Sequence, residues 1–358
     1  MSQNSTTRRD VLQLSGGTVA LAAFGSAVPP AARAAAPMLG VLRPQIYRFK
    51  LGNFEVTQIL DGVRVGPGPH PTFGQDQPPE AVHDLLKANG LPTANFDHHF
   101  VPTLVNTGKE LVLFDTGNGK GRMVTAGHLS DLVVTAGYAP EQVDVVVITH
   151  GHPDHIGGLV HDGKPVYPNA RIVFGEVEFD FWKKGQVREA RKQNLELFQK
   201  IALPFGEKAT FLKPEGEVVS GIRAVNAYGH SPGMLAFHVE SNNQRLLVWA
   251  DVANHYVVSI QQPEWATGFD DIKDLAITNR KRILDMVASD KIAVAGFHMP
   301  FPSVGFVEEF GTSYRCIGQL PVQSIKTPRC CSRVCRCRRG LACDRLPQAR
   351  GASTNRAL

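Results

Sequence analysis

The feature that most limits how this chain can fold is the run Val145-Val146-Val147-Ile148-Thr149-His150-Gly151-His152-Pro153-Asp154-His155. Four apolar β-branched residues without polar alternation read as a strand covered on both faces. That strand must then release three histidines and an aspartate within six positions. Histidines at i and i+2 on a loop leaving a strand can point at one ion. The aspartate and the next histidine then turn toward a second site. We read the loop as a metal nest at a strand's C-terminal end, and as the catalytic centre, because such spacing rarely arises without that role.

Three later loops, each following a strand-like run, offer His230, Asp251 and His298. Imidazole nitrogen and carboxylate oxygen suit zinc and its divalent neighbours Mn, Fe and Co, and no thiolate takes part. Seven donors exceed the needs of one tetrahedral ion. They match two divalent ions held close together with a bridging carboxylate. Alone, His230 or His298 would read as an ordinary hydrogen-bonded histidine; the cluster gives both their weight. Asp115 closes another strand and fits equally as a turn aspartate or as the acceptor that orients a ligand histidine. His98 and His99, placed before a strand, read as surface or loop histidines, as do His70, His83, His128, His161, His238 and His255.

Along the chain, Tyr47 to Val63 reads as a hairpin turning at Gly52-Asn53, and Gly66 to Glu80 as a loop. Strands are expected at 101–106, 110–114, 142–148, 171–174, 211–212, 221–227, 235–239, 246–250 and 292–295. Helices are expected at 81–89, 129–136, 176–182, 187–201 and 275–289. Helices after each strand group imply an α/β sandwich in a single domain spanning 37–315. A chain of 358 residues can bury a core of that size. The formal charge of +5 gathers at the two ends, so no nucleic-acid partner follows from it. No apolar run is long enough for an internal membrane span.

His150-x-His152-x-Asp154-His155 with His230, Asp251 and His298 resembles the metallo-β-lactamase-fold hydrolases, most of all methyl parathion hydrolase and lactonase-like members. The likeness runs from about Tyr47 to Arg315 and takes in Leu51 to Thr57, Asp115-Thr116-Gly117 and Phe297 to Pro302. It implies a four-layer αββα sandwich with the site between two sheets. It implies that His150, His152 and His230 hold one ion, that Asp154, His155 and His298 hold the other, and that Asp251 bridges. Met234 stands where the superfamily often has a histidine after its Gly-His-Ser/Thr-Pro-Gly motif; that position is not a ligand in this scheme. Two such ions acidify a bridging water, and the hydroxide attacks a carbonyl carbon or a phosphorus centre. Asp154 and Asp251 are thus the carboxylates with catalytic parts, Asp154 also as a proton acceptor in turnover. Trp182 falls where the family's phosphotriesterases place a leaving-group aromatic, although packing its helix onto the sheet explains it slightly better. An apolar pocket would suit a small-molecule ester, lactone or organophosphate better than a highly charged substrate. A glyoxalase II-like thioesterase, a β-lactamase and a non-catalytic metal-binding protein are the competing readings. A homodimer is left open.

The two ends differ from the middle. Residues 1–36 carry Arg8-Arg9, a weakly apolar stretch from Val11 to Val28, and Ala32-Arg33-Ala34. This is the layout of a twin-arginine export signal, with the twin-arginine export machinery as partner, a mature start near Ala35 and a periplasmic or secreted destination. All six cysteines fall between Cys316 and Cys343, and the composition turns abruptly to Cys and Arg after Arg315. A disulfide or zinc tail is one reading of 316–358; we favour a change of reading frame, because the resembling family has a final apolar strand soon after this point. Resequencing the end of the gene is expected to reveal that change. An unchanged frame together with an ordered, disulfide-bonded tail would sink it.

Overall fold

The computed structural model describes Met38 and residues 44–318. Residues 1–36, read above as an export signal with its Ala32-Arg33-Ala34 site, and the tail after Gly318 lie outside the described residues. The first half of the folded unit contains β1 (Ile46–Leu51), β2 (Phe54–Ile59), β3 (Gly62–Pro67), α1 (Pro79–Ala88), β4 (Asn95–Phe100), β5 (Thr103–Asn106), β6 (Leu111–Phe114) and α2 (Leu129–Thr135). It continues with β7 (Val145–Ile148), α3 (Pro153–Ile156), β8 (Val160–His161), β9 (Lys164–Pro165), β10 (Arg171–Gly175), α4 (Glu176–Lys184), α5 (Lys192–Ile201) and β11 (Thr210–Leu212). The second half contains β12 (Glu217–Val219), β13 (Ile222–Asn226), β14 (Leu235–Ser241), β15 (Gln244–Ala250), α6 (Val258–Gln261), α7 (Lys273–Ser289), β16 (Ala293–Gly296), β17 (Val304–Phe310) and β18 (Ser313–Ile317).

Two seven-stranded sheets form, in the orders β1-β2-β5-β6-β7-β10-β11 and β12-β13-β14-β15-β16-β17-β18. Their inner faces share one core, in which Phe114 of the first sheet meets Phe237 of the second with ring centroids 5.3 Å apart. The apolar run before the histidines shows how the layers arise. Val145 and Val147 point into the inter-sheet core, whereas Val146 and Ile148 point outward under α2, α4 and α5. Period-two alternation thus makes a strand with no polar position the link between two cores. Outside the second sheet, Ile283, Leu284 and Val287 of α7 bury against Leu247 and Trp249. The result is the αββα sandwich.

Parallel pairing sets where the site must be. β6, β7 and β10 run parallel in the first sheet, and β15 and β16 run parallel in the second. Parallel strands place their C-terminal ends at one edge, where an open α/β sheet presents its binding loops. The loops after β7, β15 and β16 begin there.

Three regions depart most clearly from the sequence reading. A ribbon of β3 and β4 stands apart from both large sheets, with Arg64 opposite His98 in its ladder. β3 is the glycine- and proline-bearing Gly62-Val63-Arg64-Val65-Gly66-Pro67, whose weak strand propensity hid it, and β4 is the histidine-bearing segment itself. Secondly, the helix expected from Val187 starts only at Lys192, after a single 3₁₀ turn at Glu189–Arg191. Thirdly, β17 and β18 close the second sheet as an antiparallel pair. β18 continues through Cys316 and Ile317, with Cys316 opposite Val307.

Candidate dinuclear metal centre

The loop after β7 is anchored before any metal is considered. Asp115, directly after β6, accepts hydrogen bonds from the Thr149 backbone N–H (2.8 Å) and hydroxyl (2.9 Å), and its Oδ2 lies 2.9 Å from His155 Nδ1. It adopts φ 63°, a left-handed conformation that aspartate tolerates. Asp115 therefore turns the far face of the His155 ring toward the site.

A second buried carboxylate fastens the other side of the loop. Glu178 of α4 accepts four hydrogen bonds: from Gly151 N (2.7 Å), Trp182 Nε1 (2.7 Å), Ser231 Oγ (2.5 Å) and Gly233 N (2.8 Å). Burial raises its pKa, and the four donors offset that rise only in part. One side chain thus ties the His150–His152 loop to the His230 loop. Gly151 is required here, because a Cβ would come within 2.3 Å of the Trp182 indole nitrogen.

The seven side chains named from the sequence come together on this frame. His150 Nε2 lies 3.0 Å from His152 Nδ1, which lies 3.0 Å from His230 Nε2. Asp154 Oδ2 lies 3.7 Å from His155 Nε2 and 3.4 Å from His298 Nε2. Asp251 stands between the groups: its Oδ1 is 3.2 Å from His155 Nε2, and its Oδ2 is 3.1 Å from His230 Nε2 and 3.0 Å from His298 Nε2. Ala250, at φ 51°, carries the chain into Asp251. That conformation costs a non-glycine residue about 1–3 kcal/mol and is the kind of strain that collects at functional sites.

The donor set fits divalent metal on two observations. Nitrogens sharing one tetrahedral zinc stand roughly 3.3 Å apart, close to the spacings of the first group. His155 Nε2 and Asp251 Oδ1 are buried and make no hydrogen bond, although they face each other. A cation between them would satisfy both. Three compact groups could each take an ion: His150, His152 and His230; His150, His155 and Asp251; and Asp154, His155 and His298.

Electrostatics divide the histidines. Burial drives His150 well below the ordinary imidazole range and His152 down to about 4, which leaves both rings neutral with lone pairs free. Burial also opposes charge on His155 and His230, but carboxylates outweigh it. Asp251, Asp115 and Asp154 hold His155 well above its usual value, and Asp251 with Asp270 lifts His230 to about 9. Arriving cations must displace those protons.

Further carboxylates and histidines appear that the sequence reading left out. Asp270 Oδ1 lies 2.9 Å from His230 Nδ1, and its other oxygen accepts from Arg280 at 2.6 Å, a fully buried ion pair. Asp271 Oδ2 lies 3.5 Å from His152 Nε2, while Arg191 Nε donates to its Oδ1 at 2.8 Å. The signal for this pair was present as Phe269-Asp270-Asp271, a loop with no apolar period. Two histidines read as surface residues are buried. His98 is 6% exposed and stacks on His298 with centroids 4.0 Å apart; His255 is 1% exposed and stacks on Phe96. Burial holds His98 well below the usual imidazole range, with His298 and Arg64 adding to the effect.

The cavity over the centre departs from the apolar pocket expected. Phe100, Met123 and Phe269 line it, but so do Arg64, Arg122 and Arg191. Trp182 does not. It is fully buried, stacks on Phe198 and donates to Glu178, so its place is beneath the His152 loop rather than in the substrate space.

The model of the metallo-beta-lactamase superfamily matches residues 102–295, more than half of the chain. An N-acyl homoserine lactonase of Bacillus cereus is 26% identical over 200 residues, spanning 53% of this chain and 73% of the relative. Among solved structures, AidC, a dizinc quorum-quenching lactonase in complex with a product, superposes with a TM-score of 0.72 at 27% identity. That match covers 77% of this chain and 98% of AidC. The hydrolase AbOPH of the β-lactamase superfamily gives 0.72 at 26% identity, over 78% and 99% of the two chains. The chain therefore belongs to the metallo-β-lactamase superfamily, as a metal-dependent hydrolase.

Proposed function

We propose that this protein is an exported hydrolase that opens lactones, and cleaves related esters or phosphotriesters, at a pair of divalent ions with zinc the foremost candidate. The observation that carries the reading is the convergence of seven donors from four loops into two groups joined by Asp251. The lactone preference is supported by the N-acyl homoserine lactonase relative and by the lactonase structure with bound product.

His150, His152 and His230 would hold one ion, Asp154, His155 and His298 the other, and Asp251 would serve both. When bound, the two ions supply an acidified water and polarise the carbonyl or phosphoryl oxygen. The rest falls to the chain's own residues. Asp115, Asp270 and Asp271 each face the outer nitrogen of one histidine, which fixes ring orientation and raises basicity. The Asp154 side chain, 22% exposed on the cavity wall, is the site carboxylate best placed to accept a proton and pass it to solvent. Phe100 and Phe269 exclude water from one side of the reacting group.

Four measurements test this. The purified protein is expected to contain two divalent ions and to turn over a lactone faster than a nitrophenyl ester or methyl parathion. Asp251→Asn should lower the content to one ion or none and cut lactone turnover by at least about a hundredfold; two ions with no turnover of any of the three would refute the substrate assignment. Glu178→Gln replaces an acceptor with a group that must point an N–H at existing donors. It should weaken metal binding about 10–100-fold while thermal unfolding stays cooperative; unchanged affinity would show that Glu178 does not hold the two loops in register. For export, N-terminal sequencing of protein recovered from the periplasm should begin near Ala35, and an intact Met1 there would contradict the signal assignment.

A further inference from the structure

The β3–β4 ribbon builds one wall of the active-site cavity, and its register is unusual. On the face that meets the cavity, β4 presents Phe96, His98 and Phe100. Opposite them β3 presents Gly66, Arg64 and Gly62. Arg64 is therefore the only side chain on that face of β3, with a bare glycine on either side. A Cβ built on Gly66 would meet nothing within 4 Å, so this space is open. Arg64 and His98 line both the cavity over the histidine centre and a second cavity that continues past Phe269 along Pro67-Gly68-Pro69. Arg64 thus borders both spaces.

A second arginine faces the same cavity from another element. Arg122, on the loop after β6, is braced by donating to the Pro153 carbonyl at 2.7 Å, directly beside Asp154 in the sequence. Among the described residues neither Arg64 nor Arg122 forms an ion pair, whereas Arg191, the third arginine of the wall, is paired with Asp271 at 2.8 Å, a carboxylate it shares with Arg188 at 3.0 Å. The two carboxylates of the cavity, Asp154 and Asp251, are engaged with the histidines. The wall therefore carries two guanidinium groups outside any ion pair, Arg122 within the field of Asp154, and the planar fork of a guanidinium suits bidentate contact with an oxyanion.

Resting on the hydrolase reading above, we propose that Arg64 and Arg122 seat an oxyanion substituent of the substrate, a carboxylate or a phosphate, so that the preferred substrate class is a lactone or ester bearing a negative charge away from the scissile bond. Arg64 then acts as a specificity-determining residue. His98 provides the flat wall beside it, and the second cavity receives the part of the substrate beyond the charged group.

The test compares mono-4-nitrophenyl glutarate with 4-nitrophenyl pentanoate on the metal-loaded enzyme, two esters of equal chain length that differ by one carboxylate. The wild-type kcat/KM ratio is expected to favour the glutarate by about tenfold. In Arg64→Gln the ratio should collapse toward one through KM, and Arg64→Lys should restore part of it. Arg122→Gln should act in the same direction. A wild-type preference for the pentanoate, or a ratio that survives Arg64→Gln, would overturn the proposal. If neither ester is hydrolysed, the fault lies with the hydrolase reading as applied to esters. Calorimetric titration of glutarate and of inorganic phosphate into the same holoenzyme then decides by itself. A loss of about tenfold in the affinity of either anion on Arg64→Gln supports the seat and shows which oxyanion it takes; equal binding of both by the two proteins removes it.

Discussion

A carboxylate buried at the end of a central strand governs this molecule. Asp251 is 3% exposed and has three imidazole nitrogens within about 3 Å of its oxygens. A charge so deep is tolerated only with close partners, and losing one of them is far more costly than never having buried it. The three histidines come from separate loops, so those loops can close only over that carboxylate. The carboxylates behind them have the same logic. Asp115 and Asp270 hold the outer nitrogens of His155 and His230, and Asp270 is in turn held by the buried Arg280. Each buried charge is compensated by the next, ending at Arg280, itself 1% exposed and held by the Val252 and Pro263 carbonyls.

The layers and the site were unequally visible in the sequence. Long apolar runs such as Val145–Ile148 announce themselves because both faces are buried, and short motifs such as His150-x-His152 announce their chemistry because the donors are adjacent. What stayed hidden depends on tertiary placement. Glu178 looks like any first-turn glutamate of a helix; only the approach of Gly151, Ser231 and Gly233 gives it four donors. His98 sits in Asn-Phe-Asp-His-His-Phe, whose alternation is real but whose partner strand, rich in glycine, carries no strand signal of its own. Trp182 was legible as a large aromatic but not as one turned under the sheet, because its indole follows Glu178 four residues earlier in the helix.

Recognition and chemistry are carried by different elements. The donors ride on loops leaving the two large sheets, whose registers are fixed by a shared core. The cavity wall comes largely from the β3–β4 ribbon and the loop bearing Arg122, neither of which belongs to those sheets. Apart from His98, which stacks on His298, and His99, whose carbonyl lies 2.8 Å from His298 Nδ1, residues on the ribbon can change without disturbing strand order or the inter-sheet core. A hydrolytic centre can in this way keep its donors while its selectivity drifts.

The division of donors between the two halves of the chain has a consequence for synthesis. Each candidate ion takes two side chains from the first half and one from the second, and Asp251, also from the second, reaches both. While the ribosome has delivered only the first sheet, the available groups are an incomplete set of two plus two. Tight capture of either ion must wait for His230 and Asp251, and the second ion waits for His298, close to the end of the folded unit. Metal loading is therefore a late event that reports on the whole sandwich, and a prematurely terminated chain ending before β16 would lack the means to retain the pair.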